Sequence, residues 1–272
     1  MSTTGLSVIH PKAKIGQNVT IEPFVTIGAN VEIGDDSWIG ANATIMEGVV
    51  IGKNCKIFPG AVVGAIPQDL KFEGEYSTIE IGDNVTIREY CTLNRGTKAN
   101  QKTIIKDNCL LMAYVHVAHD CVLGKGVILA NNVNLAGHIE IGKHTTLGGL
   151  TAVHQFVKIG AYAMLAGGTL VRKDVPPFIK AAREPLAYAG INAIGLRRNN
   201  FSNEQIHHIQ DIYRYLFVKG YNTTQAITKI KKSLPKSVER KTILTFIKKS
   251  ERGIIKGFRQ INGTKLNGNH LK

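Results

Sequence analysis

The chain has 272 residues, 43% of them hydrophobic and 7% aromatic, with a formal net charge of +14; that length supplies a sizeable core in one large or two modest domains. No apolar run approaches the ~20 residues of a membrane span, and the start, Met1-Ser2-Thr3-Thr4-Gly5-Leu6, lacks the charged lead and apolar core of a secretory signal. A cytoplasmic enzyme or binding protein is therefore expected.

From Ile9 onward every sixth residue is a branched aliphatic: Ile15, Ile21, Ile27 and so on to Val63, again at Ile81, Ile87 and Leu93, then from Ile105 to Val171. Of 28 such positions 25 obey, and Asp69, Glu75 and Ala99 do not. Two residues before each aliphatic stands a small or β-branched residue such as Val19, Val25, Ala43 or Cys55. Residues two apart share one face of a strand, so each hexad reads as a short strand with two inward side chains and a turn. Repeats of this kind stack into a parallel β-helix, because no unit can bury its apolar row alone. The four cysteines (Cys55, Cys91, Cys109, Cys121) fall in these core positions, with no CxxC pair. They read as small buried hydrophobes rather than metal ligands or disulfides.

Two stretches break the period, about residues 65–77 and 94–102, and both read as loops ejected from the prism. Irregular loops on a rigid scaffold are where binding groups tend to lie. After Val171 the repeat stops at Asp174-Val175-Pro176-Pro177, and a linker is expected to about Gly195. The domain reading is a β-helix over residues 1–185 and a helical domain over residues 186–272. Ser202-Asn203-Glu204-Gln205 reads as a capping box opening the first helix, which Gly220 stops. Asn222 opens a second, ended by Pro235, and Ser237 a third, ending near Gly253. The tail from about residue 262 reads as flexible. Charge divides along the same line. Residues 1–185 carry 17 Lys and Arg against 16 acids, or +1, and residues 186–272 carry 17 against 4, or +13. A basic surplus of this kind suits an acidic protein, phosphates, nucleic acid or an anionic membrane.

Five of the nine histidines (His116, His119, His138, His144, His154) lie between residues 115 and 155. If a coil takes eighteen residues, His119 stacks on Gly137 and Asp120 on His138. An imidazole beside a carboxylate is a general base with a fixed tautomer, so His119 is the expected base and Asp120 its orienting group. Gly137 could offer its amide to a developing oxyanion, unobstructed by a side chain. His138 would add polarisation or a substrate contact. Clustered histidines on such a prism also admit a zinc site, as in the β-helical carbonic anhydrases.

The repeat resembles the hexapeptide-repeat transferases, whose prism has three strands and eighteen residues per coil. That resemblance implies a left-handed winding, which periodicity alone does not, since chain sterics favour right-handed crossovers in about 98% of cases. The segments 112–121, 129–138 and 148–156, with Gln68-Asp69-Leu70-Lys71, Arg95-Gly96-Thr97, Asp174-Val175-Pro176-Pro177 and the stretch 190–202, are similar to the UDP-N-acetylglucosamine 3-O-acyltransferases of lipid A synthesis. The resemblance spans nearly the whole chain and implies a homotrimer with clefts shared between prisms. It implies that His119 deprotonates the glucosamine 3-hydroxyl, which attacks the thioester of a (3R)-hydroxyacyl chain on acyl carrier protein. Gln68, Asp69 and Lys71 would then hold sugar and phosphates, with His116, His138 and His154 lining the cleft. Asn192 and Arg198 would contact nucleotide or phosphopantetheine, and Gly167 would leave room for a long acyl chain. No cofactor is implied, because phosphopantetheine arrives on the carrier protein, and no metal. The basic helical domain would meet the acidic carrier protein rather than nucleic acid or a membrane. Asn94, Ile194 and Asn199 depart from the family pattern, at His, Glu and Arg respectively.

Other readings remain. The sister N-acyltransferase usually carries a uridine-binding domain before the prism, whereas here the hexads begin by Ile9. A small-acyl, coenzyme A-dependent transferase would not need the basic domain, and a scaffold without turnover would not need His119.

Overall fold

The computed structural model describes residues 2–3 and 5–257; the flexible tail expected from about residue 262 lies outside them. Short strands, mostly of two residues, assemble into three sheets that form the walls of a prism. Successive coils pair in parallel eighteen residues apart, as in Thr26 with Thr44 and His116 with Asn134. The aliphatic columns line the interior: Ile21, Ile39, Ile57, Ile87, Leu111, Leu129, Leu147 and Leu165 descend one wall, each at most 1% exposed.

The two ejected loops explain why the hexad phase survives its interruptions. Val49 pairs with Ile79, thirty residues on, and Ile79 with Thr103, twenty-four on. The loops thus add twelve and six residues to a regular coil, both multiples of six. Whole hexads were inserted, so the inward alternation resumes in register.

Each wall joins the next at an edge where one residue takes a left-handed conformation. On one edge these are Asn18, Asp36, Asn54, Asn84 and Asn108, then His144 and Tyr162. Asn and Asp tolerate that region better than other non-glycine residues. A second edge carries Phe24, Tyr90, Tyr114 and Leu150, and the third carries Asn30, Asp120, His138 and Phe156. All four cysteines are buried and free. Burial pushes the Cys55, Cys91 and Cys109 thiols up to about 11 and Cys121 to about 12, so they are inert.

Beyond the coils the chain differs from a plain linker. Ile179–Ala182 continues one wall and pairs antiparallel with Ala187–Ile191, a hairpin with no hexad signature. A short helix α1 (Ala193–Arg198) follows, capped by the Asn192 side chain. Helices α2 (Asn203–Tyr213) and α3 (Thr223–Ser233) both open with complete capping boxes, at Ser202 with Gln205 and Asn222 with Gln225. Helix α4 (Val238–Lys249) is capped by Ser237 and stops short of Gly253. The helices are fastened to the prism by buried polar contacts. Tyr213, fully buried, donates its hydroxyl to the Pro177 carbonyl at 2.6 Å. Asp174 accepts from the Lys158 amide at 2.8 Å and from the Ser250 hydroxyl at 2.6 Å.

Candidate active site

The chain enters the third edge from the strand His116–Val117 and leaves it into Val122–Leu123. The next coil repeats the path from Asn134–Leu135 to Glu140–Ile141, with the Ala118 amide on the Leu135 carbonyl and the His138 amide on the His119 carbonyl at 3.0 Å. His119 therefore sits one coil from Gly137. A Cβ added at Gly137 would lie 2.5 Å from His119 Cε1 and 2.6 Å from Nε2. The imidazole occupies the place of the missing side chain, and only glycine permits that seat. Among the described residues nothing accepts from the Gly137 N–H.

Asp120 orients the ring. Its Oδ2 lies 2.7 Å from His119 Nδ1, and the carboxylate is wholly buried. Thr97 donates its hydroxyl to Oδ2 at 2.7 Å and its amide to Oδ1 at 3.1 Å. Burial pushes the Asp120 carboxyl upward, but the bonds from His119 and Thr97 outweigh it and hold the group below the usual carboxylate range. An ionised carboxylate can only accept, so Nδ1 carries a proton and, in the neutral ring, the lone pair is on Nε2. That nitrogen is the one beside Gly137. His138 closes the group: Nε2 is 3.7 Å from Asp120 Oδ2, its ring meets His119 edge-on at 5.0 Å, and it stacks on Phe156 at 4.6 Å. Burial pushes His138 down, against the pull of the Asp120 and Asp69 charges. The first ejected loop thus brings Asp69 within electrostatic reach of the site.

His119, Asp120 and His138 offer three metal-ligating atoms within 4.8 Å of one another. The spacing of His119 Nδ1 and Asp120 Oδ2 does not suit zinc. Tetrahedral zinc at about 2.0–2.2 Å from each ligand needs donors roughly 3.3 Å apart or more, whereas Nδ1 and Oδ2 are at hydrogen-bond distance and Thr97 already serves both Asp120 oxygens.

The other expected residues are scattered. His116 begins the strand leading to His119, with Nδ1 2.8 Å from the Thr92 hydroxyl; burial pushes it down. His154 is exposed, one coil beyond Ala136, with Nδ1 3.1 Å from the Gln155 carbonyl oxygen. Gln68 and Lys71 are exposed on the first loop, whose turn is closed by the Lys71 amide on Asp69 Oδ1 at 3.0 Å. Asn94 is buried and holds that loop's base through the Ile66 carbonyl at 2.9 Å, a structural use for one departure from the family pattern. Gly167 lies on the second edge, where a Cβ would press on the Gly149 carbonyl at 2.9 Å. Asn192 belongs to the remaining edge, donating to the Tyr162 carbonyl at 3.0 Å, with exposed Arg198 in the last turn of α1. Asn199 bonds the Gly195 carbonyl at 2.9 Å and finishes α1, while Ile194 is 66% exposed. One chain therefore gathers His119, Asp120, Gly137 and His138, and does not gather Gly167, Asn192 or Arg198 with them. Sequence reasoning gave no role to Thr97, Thr103 or Phe156; Thr97 was visible only as the end of Arg95-Gly96-Thr97.

Residues 174–255 match the family model described as UDP N-acetylglucosamine O-acyltransferase, domain 2, and residues 30–65 and 102–137 match the bacterial transferase hexapeptide repeat. A Trichlorobacter lovleyi acyl-[acyl-carrier-protein]–UDP-N-acetylglucosamine O-acyltransferase is 46% identical over 94% of this chain and all of its own. The chain belongs to the UDP-N-acetylglucosamine O-acyltransferase family. A Halorhodospira halophila member is 42% identical over 92% of the chain and 97% of its own length. Among solved structures, the Bacteroides fragilis UDP-N-acetylglucosamine acyltransferase superposes with a TM-score of 0.92 at 52% identity, covering 94% of this chain and 100% of that one. The Acinetobacter baumannii enzyme gives 0.90 at 40%, over 93% and 99%. The fold is accordingly a left-handed parallel β-helix with a small C-terminal helical part, and the protein is an acyltransferase.

Proposed function

We propose that this O-acyltransferase moves a (3R)-3-hydroxyacyl chain from acyl carrier protein to the glucosamine 3-hydroxyl of UDP-N-acetylglucosamine, the opening step of lipid A synthesis. His119 Nε2 takes the proton of the 3-hydroxyl as its oxygen attacks the thioester carbonyl. Asp120 balances the imidazolium that forms. The Gly137 N–H donates to the oxyanion of the tetrahedral intermediate. Collapse breaks the C–S bond, and His119 returns its proton to the departing phosphopantetheine thiolate. Gln68, Asp69 and Lys71 hold sugar and phosphates, and His116, His138 and His154 line the cleft. The observation that carries this reading is the 2.7 Å bond from His119 Nδ1 to Asp120, which leaves Nε2 free beside an unpaired peptide N–H.

The cleft is completed by a second copy in a homotrimer. Two observations support this. Gly167, Asn192 and Arg198 lie on edges other than that of His119. The second edge also bares Phe24, Tyr90, Tyr114 and Leu150, each 55–68% exposed, an apolar line of the kind that marks an interface. The wall carrying ladder pairs Lys14–Glu32, Lys102–Glu80 and Lys158–Glu140 is the one suited to water. Analytical ultracentrifugation should find three times 29.6 kDa; a monomer would leave the cleft incomplete.

The surplus of +13 over residues 186–272 fits an acidic carrier protein, and steering of this kind weakens with salt. Among the described residues no helix is long and apolar enough to cross a membrane. On this reading, with a carrier protein and a sugar nucleotide as substrates, the reaction is assigned to the cytoplasm. The decisive experiment is mass spectrometry of products from UDP-N-acetylglucosamine and a ladder of hydroxyacyl carrier proteins. An O-acylated sugar nucleotide is expected, and absence of any acylated product across the ladder would overturn the assignment.

A further inference from the structure

The second ejected loop, six residues longer than a regular coil requires, has no substrate group assigned to it. The contacts of its Thr97 point inward. Thr97 is 8% exposed and gives Asp120 both of its donors: the hydroxyl to Oδ2 at 2.7 Å, the amide to Oδ1 at 3.1 Å and to Oδ2 at 3.2 Å. The direction of the hydroxyl bond is set from behind, since Thr97 Oγ1 accepts the Ala99 amide at 3.3 Å. The loop is closed by the Gln101 amide on the Thr97 carbonyl at 2.6 Å and tied to the wall by the Gly96 amide on the Thr78 carbonyl at 3.1 Å. A side chain at Gly96 would collide with the Lys102 backbone. From the opposite side, fully buried Thr103 accepts the Asp120 amide at 2.9 Å and steadies a backbone held at φ 60.

We propose that Thr97 is a positioning residue for acyl transfer, locking the Asp120 carboxylate onto His119 so that the imidazole keeps its proton on Nδ1 and its lone pair on Nε2. The need for a lock is visible in the geometry. Asp120 Oδ2 has a second imidazole within reach, His138 Nε2 at 3.7 Å. A carboxylate free to rotate would divide itself between the two rings, and each time it turned to His138 the base would lose its orientation. A neutral hydroxyl does this without offsetting the charge that must balance the imidazolium. The extra hexad therefore supplies a third member to the His119–Asp120 pair rather than a substrate contact.

The proposal rests on the acyl-transfer reading, and its test separates the two. Thr97→Val removes the hydroxyl at nearly constant shape, and Thr97→Ser restores it. In steady-state assays with hydroxyacyl carrier protein, Thr97→Val should lower kcat by about 10- to 100-fold, the usual scale for a charge-assisted hydrogen bond. KM for UDP-N-acetylglucosamine should stay within about 2-fold, since nothing that touches substrate changes. Thr97→Ser should recover most of kcat. Nitrogen NMR of the resting protein should show His119 as a single Nδ1–H tautomer in the wild type and a mixture in Thr97→Val. Thr97→Ala carries the same readings should the valine not pack. Wild-type kcat with an unmixed tautomer in the variant, or a serine variant as slow as the valine one, would overturn the lock. A wild-type protein that acylates no sugar nucleotide would remove the transfer reading, while the tautomer spectra would still decide what Thr97 does to His119.

Discussion

Two edges of the prism each set a histidine against the glycine of a neighbouring coil, with opposite chemistry. On the third edge His119 lies over Gly137, and His138, at φ 60, stacks on Phe156 at 4.6 Å. On the edge that carries the asparagines, His144 lies over Gly126, where an added Cβ would come within 2.6 Å of Nδ1. His144 has φ 54 and stacks on Tyr162 at 5.3 Å. His144 takes the left-handed position of its turn, as His138 does, whereas His119 stands one residue before it, and the neighbours differ as well. His119 is 6% exposed and faces a buried carboxylate. His144 is pushed down by burial and by the charges of Lys143 and Lys125. A histidine at a coil edge is thus a product of the fold, and the carboxylate on Nδ1 is what sets His119 apart from His144.

That contrast can be broken most severely by removing each ring. His119→Ala should lower kcat on the order of 10³-fold, within the range for loss of a general base, with the sedimentation coefficient unchanged. His144→Ala should stay within about 2-fold; equal losses in the two variants would mean that the carboxylate does not distinguish the edges. Next in size is Gly137→Ala. The new methyl displaces the imidazole from its seat, so kcat should fall about 100-fold, comparable to losing one oxyanion donor, while the melting temperature changes little.

Smaller effects concern stability and are read by thermal melts. Tyr213→Phe leaves the buried Pro177 carbonyl without its donor, at a cost of about 1–3 kcal/mol. It should loosen the helical part without touching the third edge. The pH dependence follows from His116 and His138, both pushed below the ordinary imidazole value of 6.5, chiefly by burial. The folded state holds them neutral, so the unfolded chain binds more protons as acid is added. Their contribution is complete above about pH 6.5 and is lost as pH falls through the depressed folded values. The melting temperature should drop by a few degrees between pH 7.5 and pH 5, and the drop should shrink in His138→Ala. An unchanged drop would place the titrating groups elsewhere.

The hexad periodicity, read as a strand of two inward side chains, was sufficient to derive a parallel β-helix and the cysteines' burial, while the eighteen-residue coil, and with it the pairing of His119 with Gly137, came with the family resemblance. The β-helix and the burial follow from local chain statistics repeated many times, and a repeat fixes its neighbours by addition of a constant. The capping boxes at Ser202 and Asn222 were legible for a similar reason, since a helix start is written in four consecutive residues. The hairpin of Ile179–Ala182 with Ala187–Ile191 and the short helix α1 were not, because neither has enough periodic positions to rise above its surroundings.

What only the tertiary structure decided lies where the period fails. An ejected loop obeys no constant offset, so nothing in the order of residues says that Thr97 returns to grip Asp120 across twenty-three positions, or that Asn94 supports the base of the other loop. Asn192 and Arg198 were equally hidden, since they lie beyond the last coil, where no constant offset reaches; Gly167, thirty residues from Gly137 with no loop between, falls on another edge by the coil length alone. Sequence by itself, with the family resemblance, outlined the scaffold and singled out His119; the packing of its two irregular loops decided how that imidazole is held.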